Sequence, residues 1–221
     1  MTLRTMLHRA IASPTQGRSL AARARARRWA EFERRFPDLH RMRVLDLGGT
    51  PHQWQEAPVK PKEVVVLNIE PLAAVQDTRI RPILGDACDL PEALGTEDFD
   101  LVYSNSVLEH VGGHARRQAF ARTVRSAAPR YWIQTPYRYF PVEPHWLFPG
   151  FQFLPIVVRV EISLRWQLGH IRSADREAAL ADVCGVELVS GTEMSGLFPD
   201  SEVWRERLGG VTKSLVAIQC G

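Results

Sequence analysis

The chain has 221 residues, of which 45% are hydrophobic and 24% charged, a balance that buries a full core without disulfides or structural metal and excludes a mainly disordered chain. Its net charge of +3 hides an asymmetry, because residues 1–43 hold eleven Arg against Glu31, Glu33 and Asp38, making that arm +8 and the remainder −5. The arm lacks the aromatic and glycine interleaving of RNA-binding segments, and no eighteen-residue run is free of charge, so neither a nucleic-acid partner nor an integral membrane span is expected.

Residues 18–36 carry Leu20, Trp29, Phe32 and Phe36 among Ala, Arg and Glu, and Pro37 stops the run; the pattern predicts a basic amphipathic helix. It serves either as a solvated face or as a lid in an arm spanning 1–40, ahead of a main domain at 41–221. Short apolar runs then alternate with turn and helical stretches, which favours a doubly wound α/β fold over a sandwich. Buried strands are expected at Arg43–Leu47, Glu63–Asn68, Arg81–Gly85, Asp100–Ser104 and Tyr131–Gln134, and helices at His114–Ala127 and Ala174–Val183. The terminal runs VELVSG and SLVAIQC are expected to pair antiparallel on one edge. Phe148–Val158 is the most apolar stretch, but Arg159, Glu161 and Arg165 interrupt its extension. Cys88, Cys184 and Cys220 are odd in number and lack Cys-x-x-Cys spacing, which suits reduced thiols and a cytoplasmic location.

The polar ends of the strands matter most, since ligands of such sheets bind outside the carboxyl ends. Val44 to Pro51, VLDLGGTP, gives an apolar strand, then Asp46 and the pair Gly48-Gly49; glycine allows a sharp turn and close approach to a ligand. About twenty residues on, VVVLNIEP ends with Asn68 and Glu70, where a ribose-binding group belongs. GDACDLP follows with Asp86, Ala87 and Cys88, and then FDLVYSNSVLEHV with Ser104 and Asn105. In this order the motifs resemble the class I S-adenosylmethionine-dependent methyltransferases of the type 11-like branch, over roughly Val44 to Thr135.

The resemblance implies a Rossmann-like sheet of seven strands, mostly parallel with an antiparallel C-terminal strand. It further implies that Asp46, Gly48 and Gly49 approach the methionine part of S-adenosylmethionine, Asn68 or Glu70 its ribose, Asp86 and Ala87 its adenine, and Ser104 and Asn105 its methyl group. The chain departs from the family at Pro51 or His52, where a third glycine is usual, and at Asn68, where an acid is usual. It has no GxGxxG with a positioned acid, which argues against a nicotinamide dehydrogenase. In ubiquinone-pathway O-methyltransferases a Glu-x-x-Glu-His segment resembles a divalent-metal site. Here Glu109 and His110 are present but Ser106 stands first, so Mg2+ is possible and no metal ligands are assigned.

Thr135 to Pro155 holds five prolines and seven aromatics with Glu143 and His145, predicting a stiff irregular segment within an acceptor-binding insertion at 136–172. It leaves the fifth strand at its carboxyl end. An alcohol acceptor needs a base, and a histidine with a reference pKa near 6.5 suits that task; His145 is the candidate, with Glu143 orienting it. Tyr137, Tyr139 and Trp146 offer faces for a sugar ring. The FPVEPHW run is similar to segments of actinobacterial methyltransferases of glycan and glycolipid pathways, including those acting on methylmannose polysaccharides. The expected reaction is therefore O-methylation of a saccharide or related small molecule by a monomer or homodimer. Methylation of a lipid, quinone or carboxylate is the alternative enzyme reading, and a non-catalytic binding module is the third.

Overall fold

A computed structural model describes residues 20–221 apart from 74 and 167; residues 1–19 of the expected arm lie outside the described residues. The chain divides into two compact units at Pro37/Asp38. In the first, helix α1 (Leu20–Arg35) forms as the composition predicts. Trp29, Phe32 and Phe36 meet along it with centroid separations of 5.4 and 5.2 Å, while Arg34 and Arg35 pair with Glu31.

The second unit is built on a sheet of seven described strands in the order β3-β2-β1-β4-β5-β9-β8. Strands β1 (Arg43–Leu47), β2 (Glu63–Asn68), β3 (Ile80–Leu84), β4 (Leu101–Asn105) and β5 (Tyr131–Pro136) are mutually parallel. Strand β9 (Val211–Gln219) runs antiparallel between β5 and β8 (Glu202–Leu208). The doubly wound, mostly parallel sheet with an antiparallel final strand is thus the fold that the alternating pattern predicts. Central strands read as continuous apolar runs because helices cover both faces. Helix α4 (His114–Ala127) supplies Phe120, Ala121 and Val124 to the core shared with Leu45, Leu47, Val65, Val102 and Ile133.

Short helices α2 (Pro51–Gln55) and α3 (Glu92–Gly95) follow β1 and β3. Beyond β5 the proline-rich segment makes a small hairpin of β6 (Val142–Glu143) and β7 (Phe148–Pro149), then a 3₁₀ turn at Phe151–Phe153. Helix α5 (Ile156–Arg165) comes next and packs on α6 (Arg176–Cys184). Together they enclose a second core of Trp146, Phe151, Val160, Ala179, Val183, Val186 and Leu188. No helix among the described residues is long and apolar enough to cross a membrane.

One expected pairing is not formed. VELVSG is an irregular run that makes only a parallel bridge from Val189 to Tyr137, because Ser190 is taken by the start of helix α7 (Gly191–Leu197). There Ser190 Oγ accepts from Glu193 N–H at 3.2 Å, and a Glu193 carboxylate oxygen accepts from Ser190 N–H at 3.0 Å. This capping box satisfies two of the helix's free donors. The partner of SLVAIQC is instead EVWRERL, joined to it through Gly209-Gly210.

Candidate functional site

The carboxyl ends of β1 to β4 converge on a crevice of about 240 Å³ lined by residues that include Gly48, Asn68, Asp86, Ala87 and His110. Gly48 sits at φ +79°, and a Cβ there would lie 2.5 Å from Val107 Cγ2; a Cβ on Gly49 would lie 1.8 Å from Asp46 Oδ2. The glycine pair therefore lets the loop close over a carboxylate that any side chain would strike. Asp46 is fully buried, with Oδ2 accepting from Trp54 Nε1–H at 2.7 Å and Oδ1 without a hydrogen-bond partner. Burial pushes its pKa up to about 7 against the opposing Trp54 bond.

The other residues named from sequence take varied positions. Asn68 donates to the Gly49 carbonyl at 2.9 Å and accepts from Glu70 N–H at 3.0 Å, so both ends of its amide hold backbone. Glu70 is exposed and does not line the crevice. Asp86 takes two bonds from Arg116 Nη2, at 2.9 and 2.8 Å, and one from Cys88 N–H at 2.8 Å. Burial acts to raise its pKa, but the Cys88 and Arg116 donors outweigh burial and the net shift is downward. Ser104 is buried with its hydroxyl donating to the Leu47 carbonyl at 2.9 Å, and neither it nor Asn105 is part of the crevice lining.

His110, which lines the crevice, belongs to a cluster that joins two distant segments. His145 Nδ1 lies 2.7 Å from Glu143 Oε1, and Glu143 Oε2 accepts the N–H groups of His145 and Trp146 at 2.8 and 2.9 Å. His145 Nε2 lies 3.1 Å from His110 Nε2, with the rings perpendicular. Two facing nitrogens at that distance need one proton between them. Burial lowers the pKa of His145, but its bond to Glu143 and the charges of Glu143 and Glu109 reverse this, so the net shift is upward. His110 shifts downward through burial and the neighbouring His145 charge.

Behind the pair, Glu109 is buried, with Oε2 accepting from Thr135 Oγ1–H at 2.9 Å and Oε1 without a hydrogen-bond partner, 4.0 Å from His110 Nε2. Burial first, against the His145 charge and the Thr135 bond among others, lifts its pKa to about 7. Glu109, His110 and His145 present ligand atoms within 4.8 Å of one another, His145 taking the place the sequence gave to Ser106. One carboxylate and two imidazoles do not fit Mg2+, which prefers oxygen ligands and usually keeps several waters.

The hairpin carrying the dyad is held from below. His170 N–H and Ile171 N–H donate to the His145 carbonyl at 2.7 and 3.2 Å, and Trp166 Nε1–H to the Trp146 carbonyl at 2.9 Å. A Cβ on Gly169 would lie 2.5 Å from Trp146 Cα. Because that neighbour is backbone, Gly169→Ala is expected to destabilise the protein by about 1–3 kcal/mol in a denaturant titration, and an unchanged midpoint would contradict the packing described. Trp146 is buried rather than offered as an open face, with Nε1–H donating to Ser163 Oγ at 2.9 Å. A relay continues from Ser163 to Ser173 and Asp182 at 2.8 and 2.6 Å. Tyr137 is half-buried and Tyr139 exposed, 5.5 Å apart between centroids.

Sequence reasoning did not anticipate the His110–His145 contact or the guanidinium of Arg116 on Asp86. It also missed a second cavity, of about 340 Å³, that Glu143 and Trp146 share with Arg117, Arg138 and Arg159. These groups are separated along the chain by up to dozens of residues, and no local spacing announces them.

Residues 45–131, from β1 to the first residue of β5, match the family described as Methyltransferase domain. No curated protein matches the chain. Among solved structures, the chain is similar to an S-adenosylmethionine-dependent methyltransferase from Mesorhizobium loti, with TM-score 0.55, 15% identity, and coverage of 90% of this chain and 99% of that one. DhpI in complex with SAH gives TM-score 0.54, 16% identity and coverage of 97% and 93%. The N-methyltransferase NodS from Bradyrhizobium japonicum WM9 gives TM-score 0.51, 13% identity and coverage of 90% and 97%. At these identities the likeness is one of fold: the chain has the Rossmann-like α/β architecture of those methyltransferases.

Proposed function

We propose that the chain transfers the methyl group of S-adenosylmethionine to a hydroxyl of a saccharide or related small molecule, with His145 as general base and Glu143 holding it in register. The observation that carries the reading is the continuous contact from Glu143 through His145 to His110, which lines the strand-end crevice. The match over residues 45–131 and the likeness to DhpI, solved with SAH, support the cofactor. The unpartnered Asp46 Oδ1 beside the glycine turn suits the ammonium of a methionine moiety, and the Asp86-Ala87 wall suits adenine. Asn68 acts by fixing the Gly48-Gly49 loop.

Bound S-adenosylmethionine supplies an electrophilic methyl on a good leaving group, so this chain's residues must chiefly align the nucleophile and take its proton. Neutral His145 accepts that proton at Nε2, the atom facing His110, while Nδ1–H stays on Glu143 Oε1. The carboxylate fixes the tautomer and stabilises the imidazolium formed. Trp146 and the hairpin keep water away from the dyad.

Because the His145 pKa is raised in the free protein, the acid limb of the kcat/KM–pH profile is expected above the usual imidazole value of 6.5. Glu143→Gln removes the charge that raises it, so the limb should move to lower pH as turnover falls. A limb that stays in place would contradict the assignment of the dyad.

NodS is an N-methyltransferase, and an amine acceptor would also need proton removal; a lipid or quinone hydroxyl would use the same base, whereas a carboxylate would need none. A panel of sugars, amines, quinols and carboxylic acids assayed with labelled S-adenosylmethionine separates these acceptors, and dependence on Glu143 separates the carboxylates from the rest.

A further inference from the structure

The second cavity has a charge pattern that the proposed chemistry does not use. Its wall carries Arg117, Arg138 and Arg159 against Glu143 and Glu187. Both carboxylate oxygens of Glu143 are engaged by His145 and by backbone N–H groups, and Glu187 pairs with Arg117 at 2.8 Å. Among the described residues neither Arg138 nor Arg159 makes a salt bridge, although the charge of Arg138 helps to lower the pKa of Glu193. Arg117 is only 7% exposed, yet its Nε–H, like that of buried Arg159 Nε, has no hydrogen-bond acceptor. Buried guanidinium donors left open are uncommon, and their fork geometry matches carboxylate and phosphate oxygens. One further orphan points to the rest of the ligand: Gln152 spends its amide N–H groups on the Arg138 and Phe140 carbonyls, at 2.9 and 2.8 Å, and leaves Oε1 unpartnered. An oxygen there repels a bare anion but accepts a hydroxyl.

We infer that this cavity is an anion subsite, taking a hydroxyl-bearing acid such as a sugar phosphate or a uronic acid. Glu143 lines it on one side and holds His145 on the other. Resting on the reading of the dyad as the methyl-transfer base, the cavity is then the acceptor's anchor. Arg138 and Arg159 bind the charged group, Gln152 receives a hydroxyl, and the methylated oxygen points toward His145.

Calorimetry on the full chain with glucose 6-phosphate, glucuronate and glucose tests this without any methyl transfer. The expected result is saturable binding of at least one of the two acids, tenfold or more tighter than glucose, and weakened tenfold or more by Arg159→Gln and by Arg138→Gln. The better of the two acids identifies phosphate or carboxylate as the natural group. Arg138 is exposed, so its variant serves should Arg159→Gln fail to fold. Binding of neither acid, or equal binding by wild type and both variants, overturns the subsite. SAH binding measured on the same samples reports separately on the proposed function: acids that fail to bind a protein still binding SAH sink the subsite alone.

Discussion

Replacing His145 by alanine should reduce turnover about a hundredfold or more, the usual scale for loss of a general base, while SAH affinity changes little. The hairpin should survive the substitution because it is held through backbone. Glu143 Oε2 still receives the two N–H groups, and the 145 carbonyl still accepts from His170 and Ile171. His145 does not itself line the strand-end crevice, so the cofactor loses no wall. Steady-state kinetics beside calorimetry checks the split. Unimpaired turnover in the variant would remove His145 from the mechanism.

Asp46→Asn is expected to move stability and ligand binding in opposite directions. The carboxyl ordinarily ionises near 3.8 and here near 7. A folded pKa above the unfolded one means the unfolded state loses its proton first, so the folded state loses stability as pH rises between those values, and the full cost applies above pH 7. Asparagine carries no such charge. In the free protein the variant should therefore be more stable than wild type at pH 8 by roughly 1–3 kcal/mol, with the difference shrinking toward pH 4. It should also bind SAH at least tenfold more weakly, since the proposed contact of Asp46 Oδ1 with the ammonium of the methionine moiety loses its charge. Denaturant titrations at both pH values and calorimetry check the two halves; a stability difference independent of pH would contradict the buried-carboxylate account.

Much of this arrangement can be read from the chain where local and global signals agree. The spans of β1, β2 and α4 match the expected ones residue for residue, because apolar runs ending in small or polar residues coincide with buried strand interiors. The edge failed where a competing local signal won. VELVSG reads as a strand, but Ser190 and Glu193 make a capping box, and EVWRERL, despite four charges that mask its alternation, takes the edge position. Helix α5 was hidden as well. Its Ile, Val and Val opening has weak helical preference, and Val160 and Ser163 are buried by packing that no sequence window contains.

The site divides the same way. Gly48, Asn68, Asp86 and Ala87 line the crevice at the ends of their strands, whereas Asp46, Gly49, Glu70, Ser104 and Asn105 are not part of its lining. The Glu143–His145 pair is legible because its members are two residues apart; His110 and the arginines reach the cluster only through tertiary folding. Trp146 looked like a sugar platform, yet the relay through Ser163, Ser173 and Asp182 uses it to anchor the hairpin.

The central claim, that strand ends β1 to β4 form a pocket for an adenosyl sulfonium, is tested most directly by titrating SAH into the folded 221-residue chain. The account predicts saturable one-site binding that Gly48→Val abolishes, since its side chain would meet Val107 inside the crevice. A folded wild-type protein that takes up no SAH, or a Gly48→Val variant that binds as well as wild type, would contradict it.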